Sequence, residues 1–290
     1  MNEYIKKVPT LVYICIYLFL IIIGIILCLP SPYILRTPGM TANVIGDYQN
    51  ADGEKTPMIT VKGVNSDSSS FNPIYLTTVY AYGGPTNHLS PLIIVNNLFS
   101  PTSTVLPQEL YYPPTQSSEE ANEESHQQMD GSKNSAITVA LSNLGNYTGV
   151  SRSYGDITIE SGDIGGPSAG LAFTLGIIQK IKGTDLFRDD RGFAATGEML
   201  EDGKVGPIGG IGQKITSVQK SGAALFLIPK DNCDEAQSFI AKNNDKYGDD
   251  AITVLTVENI KNALEILNKL SSNGTNWKSS PTLEANKCLK

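Results

Sequence analysis

An uncharged apolar run from Val8 to Leu29 places the tightest constraint on how this chain can fold. About 20 apolar residues are needed to cross a bilayer as a helix, so the run predicts a transmembrane helix over residues 8–30. A cleaved signal peptide would need a shorter apolar core and a small-x-small exit. The run instead leads into Leu-Cys-Leu-Pro-Ser-Pro at positions 27–32, which favours an uncleaved anchor.

The charges before this run predict its orientation. Lys6 and Lys7 lie on its N-terminal side, and lysines next to a membrane helix are typical of the cytoplasmic face. We therefore expect a cytoplasmic N-terminus over residues 1–7. Everything after Pro30 is then expected outside the cytoplasmic membrane.

Composition excludes several kinds of partner. The net charge is −7 and no long basic run occurs, which argues against nucleic acid. The chain has four cysteines and two histidines but no Cys-x-x-Cys pair, so no metal site and no cofactor are expected. Cys233 and Cys288 either form a disulfide or remain thiols, and the sequence leaves both alternatives open.

Residues 31–150 predict a smaller extracellular region of mixed strands and helices. Segments 58–62 and 74–80 are rich in β-branched and aromatic residues and predict strands. Segment 92–95 is either a buried strand or a short helix, since four residues show no period. Start signals and apolar spacing predict two helices, from 117 to 129 and from 132 to 144.

The stretch from Gly162 to Lys214 has a glycine-rich turn at each end. Each turn is followed by a side chain that could take part in catalysis. Ser168 follows the first turn at the start of an apolar helix, where free backbone N–H groups can stabilise an oxyanion. Lys214 lies on the helix after the second turn, predicted from Ile211 to Ser221. A serine beside a desolvated lysine is a nucleophile with a general base. The plainer alternatives are a helix cap and a solvated lysine.

Two competing sites are poorly supported. A phosphate-binding P-loop needs Gly, four residues and then Gly-Lys-Ser/Thr, whereas Lys214 follows Gln213 and precedes Ile215. No nucleotide is therefore expected. A Ser-His-Asp triad is disfavoured because His88 lies in a Gly/Pro-rich loop and His126 lies on a polar helix.

Several short motifs in the second half occur together and in order. They are Gly166-Pro167-Ser168-Ala169-Gly170, Ala195-Thr196-Gly197-Glu198, Gly206-Pro207-Ile208-Gly209-Gly210-Ile211-x-x-Lys214, Ser221-Gly222-Ala223 and Pro229. In this order and spacing they resemble the proteolytic domain of the Lon protease family (peptidase S16 type), over roughly residues 157–270.

The resemblance implies Ser168 as the nucleophile and Lys214 as the general base. It also implies that Thr196 hydrogen-bonds the lysine. The turn residues Gly166, Pro167 and Ala169 would form the oxyanion site. Many Lon enzymes have an acidic residue directly before the Gly-Pro-Ser, where this chain has Gly165, with Asp163 as the nearest acid.

A closer resemblance is to the membrane-anchored Lon-like proteases of Gram-positive bacteria. Those proteins begin with one transmembrane helix and share motifs similar to Leu76-Thr77-Thr78-Val79, Tyr112-Pro113-Pro114, Gln128-Met129, 136–141 and Asn232-Cys233-x-Glu235-Ala236. They usually carry a PDZ domain before the protease domain, and residues 145–155 are too few to hold one. No ATPase module is present either, so ATP-independent action is expected. Lon-type domains often form rings, which implies a homo-oligomer.

Alternating strands and helices predict an α/β (α+β) domain over residues 151–270, with the Lon proteolytic-domain fold that the resemblance implies. Residues 271–290 are polar and aperiodic and predict a disordered tail. The expected function is a membrane-anchored serine endopeptidase that acts on extracellular peptides or flexible protein segments. A catalytically silent scaffold and a small esterase that uses the same pair are the alternatives.

Overall fold

The computed structural model describes residues 10–49, 53–64, 71–84, 87–113, 116–145, 153–243 and 252–288. The predicted cytoplasmic residues 1–7 and the predicted domain boundary at 150 lie outside this part of the chain. The elements, in chain order, are α1 (Thr10–Cys28), β1 (Tyr33–Asn43), β2 (Asp47–Gln49), β3 (Lys55–Pro57), β4 (Ile59–Val61), β5 (Ile74–Tyr82), α2 (Pro91–Leu98), β6 (Thr104–Pro107), α3 (Ser118–Leu144), β7 (Ile157–Ile159), α4 (Gly170–Lys182), β8 (Phe193–Ala195), β9 (Glu198–Met199), β10 (Val205–Gly206), α5 (Ile211–Ser221), β11 (Leu225–Pro229), α6 (Cys233–Lys242), β12 (Thr253–Val257), α7 (Ile260–Ser272) and α8 (Pro281–Asn286).

The chain divides into two compact units. The first comprises Met1–Arg36 and Ala81–Ser118 and contains α1, α2 and β6. Helix α1 has no buried residue and is long and apolar enough to cross a membrane. The ambiguous segment 92–95 is helical, because Pro91 starts α2 with its φ already fixed for a helix. The first residues of β1, Tyr33–Arg36, pair antiparallel with β6.

The second unit comprises Thr37–Tyr80 and Glu119–Lys290 and is a mixed α/β fold, as predicted. Its main sheet has the order β12-β11-β8-β5-β1. The pairs β12–β11, β11–β8 and β8–β5 are parallel. A separate antiparallel pair joins β4 to β7. Helix α4 is the central core helix, since every residue from Gly170 to Ile181 is buried.

The structure corrects the expected division between an N-terminal region over 31–150 and a protease domain over 151–270. Val44, Ile59 and Ala136 are buried in the same hydrophobic core as Phe173 of α4. A side chain at Gly176 of α4 would lie 2.7 Å from Ile59 Cδ1, so the helix packs directly against this earlier segment. The described residues 37–80 and 119–145 therefore belong to the same compact unit as α4.

Helix α3 corrects the expectation of two helices over 117–144. It runs without a break from Ser118 to Leu144 and passes through Gly131. Its buried residues Met129, Ser132, Ala136 and Val139 recur every three or four positions, which gives one continuous buried face. The stabilisation of this face by packing outweighs the cost of a glycine within the helix.

The C-terminal segment corrects the expectation of a disordered tail. Residues Gly274–Ser279 form a 3-10 helix and α8 follows. Trp277 is 2% exposed, and its indole Nε1 donates to Asp189 Oδ2 over 3.0 Å. Cys288 forms a disulfide with Cys233, with 5.4 Å between their Cα atoms. Burial of one large ring and a covalent link hold a segment whose composition is otherwise polar.

Candidate active site

The first glycine turn presents Ser168 at the start of α4. Gly166 has φ of +82°, a value open to glycine, and Pro167–Ala169 form a 3-10 turn that continues into the helix. A side chain at Gly170 would lie 2.7 Å from the Met199 backbone nitrogen, so the turn packs tightly against β9. Ser168 itself is half-buried, which leaves its hydroxyl accessible to a bound molecule.

The second glycine turn brings Lys214 to the same place. Gly210 has φ of +76° and precedes α5, so Lys214 lies in the first turn of that helix. Its Nζ lies 2.7 Å from Ser168 Oγ and 2.9 Å from Thr196 Oγ1. The side chain is 3% exposed, and burial lowers the pKa of its amine from 10.5 to about 7. A large fraction of the amine is therefore neutral at physiological pH.

Thr196 fixes the orientation of the pair. It follows β8 and is fully buried, and its backbone N–H donates to the Leu227 carbonyl oxygen. Its hydroxyl donates to the Ser168 carbonyl oxygen over 3.1 Å. Because the Thr196 hydroxyl proton is already donated to Ser168, Thr196 Oγ1 can only accept a hydrogen bond from the lysine amine. A neutral amine that donates to Thr196 can turn its own lone pair toward Ser168 Oγ.

The structure leaves fewer backbone amides in the predicted oxyanion turn that can act as donors. Pro167 has no amide hydrogen and cannot donate. The Gly166 N–H is already given to the Ser125 carbonyl oxygen over 2.9 Å. The remaining amides of this turn, at Ser168 and Ala169, lie where a helix start leaves N–H groups without intrahelical acceptors. They are the donors that an oxyanion beside Ser168 would meet.

Sequence reasoning missed the contribution of α3 to this site. Ser132 Oγ donates to the Pro167 carbonyl oxygen over 2.9 Å, and Ser125 accepts from Gly166. Helix α3 therefore holds the serine turn from one side, and Gly197 holds it from the other by donating to the Ser168 carbonyl oxygen. The sequence signal for this role was spacing, since Ser132 falls three residues after Met129 and four before Ala136, on the same side of a helix.

An open cleft of about 360 Å³ borders the serine turn. Its walls include Ser135 and Thr138 of α3, Pro167, and Met199 of β9. Glu198 and Glu201 are its charged lining residues. The cleft reaches the serine turn at Pro167, and its two carboxylates favour basic over acidic groups.

The described residues hold no group of three His, Cys, Asp or Glu side chains that could bind a metal ion. His88 and His126 do not contact Ser168 in any described hydrogen bond. The side chains that the structure brings together are thus Ser168, Lys214 and Thr196.

Comparison with known proteins identifies this fold. Residues 127–269 match the family model of the Lon protease (S16) C-terminal proteolytic domain. These residues form a Lon-type proteolytic domain. The match confirms the resemblance found in the sequence and extends it back onto α3. Because residues 127–144 belong to α3, the family match also supports this part of the helix as belonging to the domain.

Individual relatives are similar to part of this chain. The Lon protease of Azospirillum brasilense is 38% identical over 100 residues, which are 34% of this chain and 12% of that protein. Lon protease 2 of Herpetosiphon aurantiacus is 36% identical over 101 residues, 35% of this chain and 11% of that protein. Lon protease 2 of Bacillus subtilis is 38% identical over 97 residues, 33% of this chain and 16% of that protein. The chain thus matches a small part of each relative's length.

Proposed function

We propose that this chain is a membrane-anchored, ATP-independent serine endopeptidase with Ser168 as nucleophile and Lys214 as general base. One observation carries the proposal. A lysine amine whose pKa burial lowers to about 7 lies 2.7 Å from the hydroxyl of a half-buried serine. The Lon-type domain supports serine peptidase activity in general, and this contact supports the particular pair.

The proposed reaction balances without a further reactant except water. The neutral Lys214 amine takes the Ser168 proton as Oγ bonds to the peptide carbonyl carbon, and the first-turn amides stabilise the oxyanion. The tetrahedral intermediate collapses, the C–N bond breaks, and the lysine proton passes to the leaving amine. Water then gives its proton to Lys214, attacks the acyl ester and releases the acid, and Ser168 recovers its proton. No step needs a nucleotide.

The proposed substrates are peptides and flexible protein segments. A peptide carbonyl must approach Ser168 closely while its flanking side chains lie in the open cleft beside α3. An extended segment can do this, whereas a folded surface cannot enter without unfolding first. The carboxylates of Glu198 and Glu201 make a basic flanking residue the better fit.

The proposed location is outside the cytoplasmic membrane, with α1 as the anchor. The hydropathy of α1 fits a single membrane crossing, and the two lysines before it favour a cytoplasmic N-terminus. The Cys233–Cys288 disulfide supports the same side, because disulfides persist in oxidising compartments and are rare in the cytosol.

The test uses the full chain in detergent with a fluorogenic unstructured peptide. We expect Ser168→Ala to lower cleavage by about 10³-fold or more. Ser142→Ala, at an exposed hydroxyl of α3, is the matched control and should leave the rate unchanged. ATP with Mg²⁺ should not alter the rate. A serine-reactive phosphonate should label the wild type but not Ser168→Ala.

The other outcomes separate the alternatives. Ester turnover without peptide cleavage would indicate an esterase that uses the same pair. A folded wild-type protein that neither cleaves nor reacts with the phosphonate would indicate a catalytically silent scaffold. Cleavage that survives in Ser168→Ala would remove this serine from the mechanism.

A further inference from the structure

The first unit contains an extended stretch without charge. Its residues 81–108 include no Asp, Glu, Lys or Arg, in a chain of which 18% of residues are charged. Helix α1 belongs to the same unit. No charged side chain of this stretch therefore has to stay in water if its apolar residues enter a membrane.

Helix α2, which lies in this stretch, exposes most of its apolar side chains. Leu92 and Leu98 are each 59% exposed, and Phe99, directly after the helix, is 87% exposed. Ile93 and Val95 are also exposed, whereas Ile94 is buried. Contiguous exposed apolar surface of this kind marks an interaction site.

Helix α2 also lies against α1 within the same unit. Ile23 and Leu27, one turn apart, are the partly buried residues of α1, while the rest of that helix is exposed. The Ser31 N–H donates to the Leu89 carbonyl oxygen over 3.0 Å, which ties the chain just after α1 to the chain just before α2. Helix α2 is thereby held beside the C-terminal half of α1.

We propose that α2 and Phe99 form a second membrane-contacting element, buried in the bilayer interface beside the anchor helix. The inference rests on the proposed anchoring by α1. The bilayer is the favoured occupant because α2, with its exposed apolar side chains, lies in contact with α1, whose own apolar side chains are exposed. Interfacial helices bury their apolar face at the boundary between headgroups and acyl chains. Because α2 carries no Lys or Arg, its binding should not require anionic lipid. It should bind zwitterionic lipid, and added salt should not release it from the membrane.

Tryptophan fluorescence tests this in the full chain. The protein has one tryptophan, Trp277, which is 2% exposed and supplies a constant background. Phe99→Trp adds a reporter next to α2, and Phe19→Trp, at a residue 62% exposed, adds one near the centre of α1. Each protein is placed in phosphatidylcholine vesicles whose lipids carry bromine at a shallow or a deep position of the acyl chain.

We expect brominated lipid to lower the added Phe99→Trp fluorescence about twofold or more, with the shallow bromine more effective than the deep one. Phe19→Trp should show the opposite depth order. If Phe19→Trp is quenched but Phe99→Trp is quenched only by aqueous acrylamide, the anchor stands and the α2 proposal is overturned. Quenching of Phe99→Trp by neither agent would show that protein covers α2, which also overturns it. If Phe19→Trp escapes lipid quenching, the anchor itself is refuted and the α2 proposal with it.

Discussion

The protonation state of Lys214 should set the pH dependence of cleavage. With a pKa of about 7 for the amine, the neutral base rises from about 9% of the protein at pH 6 to about 91% at pH 8. We therefore expect kcat/KM for an unstructured peptide to increase about tenfold over this range and then level off. A solvated lysine with a pKa of 10.5 would instead give a rate that still climbs steeply at pH 9.

The same burial predicts an effect on stability. The unfolded lysine titrates near 10.5 and the folded one near 7, so between these values the unfolded chain binds the extra proton. The free energy of unfolding therefore falls as the pH drops below about 10.5. Below about pH 7 it is lower by the full cost of burying a charged amine. The difference of 3.5 in pKa corresponds to about 5 kcal/mol.

Lys214→Met removes this penalty and leaves the Ser168 and Thr196 hydroxyls without the amine, which costs about 1–2 kcal/mol each. We expect the variant to be inactive and about 2 kcal/mol more stable than wild type at pH 7. Denaturant unfolding at pH 7 and near pH 11 checks this. At the higher pH the penalty is absent and only the lost hydrogen bonds remain, so the variant should there be about 2–4 kcal/mol less stable than wild type. Lys220→Met, at an exposed lysine of the same helix, is the control and should change little. A pH–rate profile that keeps rising past pH 9, or a Lys214→Met protein less stable than wild type at pH 7, would refute the reasoning.

Three further predictions concern Thr196, Glu198 and Cys288. Thr196→Val should lower kcat about 10- to 100-fold because the amine loses its 2.9 Å partner, whereas Thr196→Ser should restore most of the rate in the same peptide assay. Glu198→Gln should lower kcat/KM about twofold to fivefold for peptides with a basic flanking residue and leave neutral peptides unaffected, and equal effects on both would exclude a charge role for this cleft residue. Cys288→Ser should lower the unfolding free energy by about 2–4 kcal/mol, and dithiothreitol should then lower the melting temperature of wild type but not of the variant.

The sequence predicted most accurately the helices with sharp local ends. Helix α5 runs from Ile211 to Ser221 as expected, because Gly210 and Gly222 both adopt left-handed conformations at its ends. The apolar period and the terminal residues of this helix agree, so local signals were enough.

Local sequence signals did not predict contacts between segments that are far apart in the sequence. Strand β5 pairs with β8, which lies more than 100 residues later in the sequence, and no local period indicates that pairing. The C-terminal segment was misjudged for the same reason. Its polar composition is typical of disorder, yet one indole held by Asp189 and one disulfide order it. A single buried tryptophan in a polar segment carries more information than the average composition of that segment.

The sequence predicted the candidate pair because the two glycine turns beside it are local features. The chemistry of the pair depends on the burial of Lys214, which is not a local feature. Lys214 is a base only if it is buried, and the sequence allowed a solvated lysine equally well. Its burial comes from the packing of α5, where a side chain at Gly212 would lie 2.3 Å from the Phe239 ring of α6. The lowered pKa is therefore a property of the assembled core and not of the motif that contains the lysine.

That dependence gives a last prediction, about where the domain can be cut. A chain limited to residues 151–290 keeps Ser168 and Lys214 but loses β5, the parallel partner of β8. It also loses the segment that packs on Gly176 of α4 and the helix that holds the serine turn through Ser132. We expect this fragment to show no cooperative thermal transition and no cleavage.

A chain that begins at residue 30, which lacks only α1, is the matched control. It keeps every strand of the main sheet and the whole of α3, so it should unfold cooperatively in circular dichroism and cleave the same peptide. Cooperative unfolding of the 151–290 fragment near the melting temperature of this control would contradict the argument. It would mean that the core around α4 closes without Ile59, Leu76 and Ala136, although all three are fully buried in it. On our reasoning, the whole core around α4 must be present before Ser168 and Lys214 can come together. The motifs that contain these two residues are not sufficient by themselves.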